Sequence, residues 1–148
     1  MGYSLQALIT LRPALRACDL GFREARVVHL SQDVVMIPIT DALYDEVGDG
    51  GAVERFWKLS PGLEGLAKRL SAAGSAVYVE AEFFGGVGEQ NSVGWAEGQR
   101  VLGPIHALDA INHALRFLGV RASSGQDEFD ALGLGSRRET LEWLGDAG

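Results

Sequence analysis

The stretch that most limits what this chain can fold into is Ser75 to Trp95, SAVYVEAEFFGGVGEQNSVGW. It begins with strict alternation at the two-residue period of a pleated strand. Val77, Val79, Ala81 and Phe83 fall on one face, and Tyr78, Glu80, Glu82 and Phe84 fall on the other. Three glycines, Gly85, Gly86 and Gly88, then break the pattern before β-like residues return and run to Trp95. A β-hairpin is the expectation, with the valine face in the core and the glutamate face outward. Strand rise puts Glu80 and Glu82 about 7 Å apart.

The flanks fill out a sheet. Tyr3–Leu11 alternates with Leu5, Ala7, Ile9 and Leu11 on one side, and Pro13 stops it. Arg26–Leu30 and Val34–Ile39 read as two further strands. The second, VVMIPI, is apolar throughout, so both its faces are covered, and Pro38 marks its end. Arg100–Leu102 follows an Glu97-Gly98 turn.

Helices are expected between these strands. Thr40 or Asp41 caps one through Val47. Gly48–Ala52 is a linker, and Glu54–Leu59 is helical. Ser60-Pro61 restarts a helix that Gly74 ends. Phe56, Leu59, Leu63, Leu66 and Leu70 hold a 3/4 spacing across that joint. Pro104 opens another helix, with Ile105, Leu108, Ile111, Leu115 and Leu118 as its buried stripe. Asp127 caps a short helix, and Ser136 with Glu139 forms a capping box for a last one that buries Leu141 and Leu144. The fold class is therefore α+β, one domain over residues 1–148. Its mostly antiparallel sheet has five or six strands, covered on one face by the helices at 53–74 and 104–118.

Charge and composition narrow the function classes. Twenty acidic residues against thirteen basic give a net charge of −7, which opposes nucleic-acid binding and allows steering toward a basic protein. The single cysteine, Cys18, excludes an intramolecular disulfide and suits a reducing cytoplasm. No apolar run is long enough for a membrane span, and no basic region precedes the first apolar segment, so neither an anchor nor a signal peptide is expected.

The motifs that could carry chemistry are sparse. GGVGEQNS lacks the lysine and the span of a P-loop, and it leads into a strand rather than the helix of a dinucleotide-binding turn. No G-x-S-x-G is present. His106, Asp109 and His113 share one face of the expected helix, with chemistry suited to zinc. A solvated helix face produces the same spacing, and no metal or cofactor is expected. What remains is a recognition surface framed by Tyr78, Glu80, Glu82, Phe84, Gly85, Gly86, Gly88, Glu89, Gln90 and Trp95. The alternative is a small hydrolase or ligand-binding enzyme using Glu80 and Glu82, whose spacing falls in the inverting-glycosidase range.

The combination of YVEAEFFGGVGEQNSVGW, GP, INHALRFLGV and DEFDALGLGSRRETLEWL resembles a family of small, uncharacterised bacterial proteins of high-GC genomes. That family has no settled activity, so the resemblance transfers no catalytic residue. In size and acidity the chain is also similar to immunity proteins of bacterial toxin systems. The leading expectation is a non-enzymatic interaction protein, and the likeness in size and acidity implies its form as an immunity protein masking a basic toxin.

Overall fold

The computed structural model describes residues 2–48, 50–53 and 55–146. Its centre is a six-stranded antiparallel sheet in the order β2-β3-β1-β4-β5-β6. The strands are β1 (Gly2–Leu11), β2 (Val28–His29), β3 (Val34–Pro38), β4 (Ser75–Phe84), β5 (Val87–Ala96) and β6 (Gln99–His106). The helices are α1 (Arg12–Arg16), α2 (Asp41–Val47), α3 (Pro61–Ser71), α4 (Ala110–Leu118) and α5 (Glu128–Ala131). Two 3₁₀ segments, Leu134–Ser136 and Thr140–Asp146, end the chain's regular structure. None of the described helices is long and apolar enough to cross a membrane.

Local chemistry sets most boundaries. Pro13 stands in the first turn of α1 and ends β1, and β3 stops at Pro38. Thr40, Ser60 and Asp127 each accept a backbone N–H with their side chains and so cap α2, α3 and α5. Gly85 and Gly86 make a two-residue hairpin turn at φ 61° and 82°, the left-handed region such turns need. Gly88 lies inside β5. A Cβ there would run into the Glu82 carbonyl oxygen and the Phe83 ring, so no other residue fits.

The α+β class and the antiparallel sheet are as expected, but helices cover both faces. On one side, Leu5, Ala7, Ile9, Val77, Val79 and Ala81 pack against Ile111, Ala114, Leu115 and Leu118 of α4, with Trp143. On the other, Leu8, Ile37, Tyr78, Val93 and Trp95 pack against Leu43 of α2 and Leu63, Leu66 and Leu70 of α3. The apolar stripe of α3 needs an apolar partner, and it finds one on the face that alternation alone marked as solvated. Each such buried side chain contributes about 1.5–3 kcal/mol.

Four local expectations are corrected. Residues 55–59 are irregular rather than helical, although Phe56 and Leu59 are buried; Glu54 and Asp49 of the expected helix and linker lie outside the described residues. The chain from Pro104 to His106 continues β6, and α4 starts only at Ala110, leaving Leu108 70% exposed. Proline's missing N–H suits an edge strand as well as a first helical turn, so the residue type did not discriminate. Helix α3 is capped by Ala72, not Gly74. The last helix is 3₁₀, with Glu142 accepting from the N–H groups of Arg138 and Glu139; Trp143 is buried and Leu141 exposed.

Leu115→Ala should cost about 2–5 kcal/mol in urea denaturation. Leu108→Ala, by contrast, should stay within about 0.5 kcal/mol of the wild type. Equal losses from both would place Leu108 in the core.

Candidate functional site

The Gly-Gly turn sets the pairing of the whole hairpin. Glu80 lies opposite Asn91, Glu82 opposite Glu89, and Phe84 opposite Val87, all on the face that carries Tyr78. Depth separates these residues. Tyr78, Glu80 and Trp95 have no exposed surface, whereas Glu82, Phe84, Gly85, Gly86 and Glu89 are exposed. Three members of the expected recognition surface are therefore interior. The Trp95 indole lies in the α3 core and donates to Glu64 at 3.2 Å, and Tyr78 is enclosed with Phe56 edge-on to its ring. Gln90 sits on the opposite face, where its Oε1 accepts from the Ile111 backbone N–H at 3.0 Å and caps α4.

Glu80 is the hub. The backbone N–H of Trp57 reaches both of its oxygens, at 2.9 and 3.1 Å. The Tyr78 hydroxyl donates to Oε1 at 2.6 Å and Asn91 Nδ2 to Oε2 at 2.8 Å. Burial pushes the carboxyl above its ordinary range, and these donors oppose that rise without cancelling it. Burial, then the adjoining Glu80 charge, pushes the Tyr78 hydroxyl well above its ordinary value. The carboxylate thus straps the 55–58 loop across the sheet. Glu80 and Glu82 do not form a pair open to a substrate, because one is sealed and hydrogen-bonded while the other faces solvent.

The strap lays Trp57, 38% exposed, beside the two surface carboxylates. Trp57, Glu82 and Glu89 line an open cleft of about 430 Å³. Phe84 and Val87, paired beside the turn on the same strand face, are exposed apolar residues. A second cleft of about 260 Å³ shares Glu89 and is lined by Arg55, Asn91, His106 and Leu108. Like charges directly opposite each other on one sheet face are destabilising, and neither Glu82 nor Glu89 pairs with a cation among the described residues.

The histidines separate. His106 is on β6 with its Nδ1 2.6 Å from Asn91 Oδ1, while His113 on α4 pairs with Asp109 at 3.2 Å. The described residues contain no cluster of three groups able to hold a metal. Sequence reasoning missed Trp57 and Arg55, which carry no periodic signal once their segment is read as helix. Asn91 was recoverable, since a two-residue turn at Gly85-Gly86 places it opposite Glu80. Among known proteins, no family model matches the chain, and no match was found among curated proteins or solved structures.

Glu80→Ala should destabilise by about 1–3 kcal/mol for each buried donor left unpaired. The carboxyl's folded value lies above its unfolded one, so its stabilising share is present at low pH and falls as pH rises above 4.5. The wild type should therefore lose stability relative to Glu80→Gln between pH 4.5 and neutrality, as read from urea midpoints. A difference that grows in the opposite sense would place Glu80 in a polar, charge-favouring setting.

Proposed function

We propose that this chain is a non-enzymatic interaction protein that docks a basic protein partner at the open end of its central hairpin. The observation that carries the reading is the unrelieved pair Glu82 and Glu89, set opposite each other beside the exposed ring of Trp57. The fold bears the repulsion of that pair, and a lysine or arginine brought by a partner would relieve it. An indole face and two carboxylates are the groups that hold such a cation, the ring through its quadrupole and the carboxylates through charge-assisted hydrogen bonds. Phe84 and Val87, each 78% exposed, supply apolar area beside it. The net charge of −7 adds long-range steering. An immunity protein that masks a basic toxin is the specific form of this reading favoured by the chain's acidity and by the resemblance noted from its sequence. Catalysis by a Glu80/Glu82 pair is disfavoured by the enclosure of Glu80.

The test uses the opposite signs that Glu82→Gln/Glu89→Gln should produce in the two states. Removing the repulsion should stabilise the free protein by about 0.2–1 kcal/mol. The same change should slow association with a partner isolated from the native host and flatten its salt dependence. A partner that binds the double variant as fast as the wild type at low salt would refute the assignment of this surface.

A further inference from the structure

The Glu80 network also sets the state of an imidazole at the surface. His106 is exposed at the end of β6, directly opposite Asn91, with its ring 5.7 Å from that of Phe56. A carboxylate can only accept hydrogen bonds, so the Asn91 amide must turn its NH₂ to Glu80 and its oxygen to His106. That oxygen can also only accept, so the proton of the neutral imidazole sits on Nδ1. The other nitrogen, Nε2, is left as a bare acceptor, and it makes no hydrogen bond among the described residues.

The ring lines the cleft that shares Glu89 with the Trp57 cleft. The charged groups around it come from three elements. Arg55 belongs to the strapped loop, Glu89 to β5, and Glu80 of β4 stands behind Asn91. Asp109, three residues beyond His106, is engaged with His113 instead. We propose that His106 Nε2 is the second acceptor, beside Glu89, for a basic side chain of the docked partner, so that docking is lost when the imidazole is protonated. The inference rests on the basic-partner reading given above. The lining of the two clefts, Glu82 and Glu89 against Arg55, carries a net charge of −1 while the ring is neutral. Protonation brings that to zero and turns Nε2 into a donor aimed at a cation.

Two measurements test this on the whole protein. Nitrogen-detected NMR of the free chain at pH 7.5 should show the Nδ1–H tautomer at His106. An Nε2–H tautomer there would overturn the proposal without reference to any partner. A hepta-arginine peptide then serves as the cationic probe, titrated calorimetrically at pH 7.5 and 5.5. The wild type should lose about tenfold in affinity at the lower pH, and His106→Gln should bind about equally at both. An equal loss in both proteins would overturn the role of His106 and leave the docking surface standing. A peptide that does not bind, or that binds Glu82→Gln/Glu89→Gln as tightly as wild type, would remove the docking surface and the His106 role together.

Discussion

The interaction on which this architecture depends is the capture of a loop by one buried carboxylate. Glu80 sits at the middle of β4, next to β1 in the centre of the sheet, with no exposed surface. A lone charge there would be costly, and the chain answers with donors from Tyr78, Asn91 and the backbone of the 55–58 loop. The arrangement works in both directions. The donors make the buried carboxylate tolerable, and the carboxylate gives an irregular, helix-free segment a fixed place over the sheet. Phe56 then fills the second core beside Tyr78 and Leu63, and Trp57 is left at the surface.

That geometry divides four acidic and aromatic neighbours into two roles. Tyr78 and Glu80 act inside the fold, while Glu82 and Phe84, two and four residues further along the same strand face, act at its edge. The division arises because the hairpin extends past its cover. Strand β6 pairs with β5 only from Asn91 onward, and the loop held by Glu80 together with the α2 and α3 core covers the face at Tyr78 and Glu80, leaving Glu82, Phe84, Val87 and Glu89 exposed. If the proposed basic partner docks at this edge, electrostatics would speed its encounter more than add affinity.

The two-layer expectation failed for a reason visible in single residues. Tyr78 and Glu80 alternate with Val77, Val79 and Ala81, and alternation of that kind ordinarily marks a face open to water. Here the opposite face is apolar where it matters, through Leu8 of β1, Ile37 of β3, and Val93 and Trp95 of β5. Apart from β3, whose apolar run marks both its faces, no one strand displays that face, because it is assembled from strands far apart in sequence. The helix wrongly begun at Pro104 has a similar origin. Ile105 and Leu108 fit a helical stripe, but β5 offers His106 a ladder partner, and a strand neighbour outweighs a spacing coincidence.

What the sequence alone determined was local. The two-residue period of Ser75–Phe84, the Gly85-Gly86 turn, the caps at Thr40, Ser60 and Asp127, and the α3 stripe are all statements about residues within a few positions of one another. Backbone sterics, capping and periodicity act at that range, so they can be read from one segment at a time. Tertiary structure alone decided which glutamate is buried, that Trp57 comes to lie beside Glu82 and Glu89, and that Asn91 joins Glu80 to His106. Those outcomes depend on the desolvation of a charge and on which distant donors can reach it. Both are properties of the packed sheet and its captured loop, and no stretch of the chain carries them by itself.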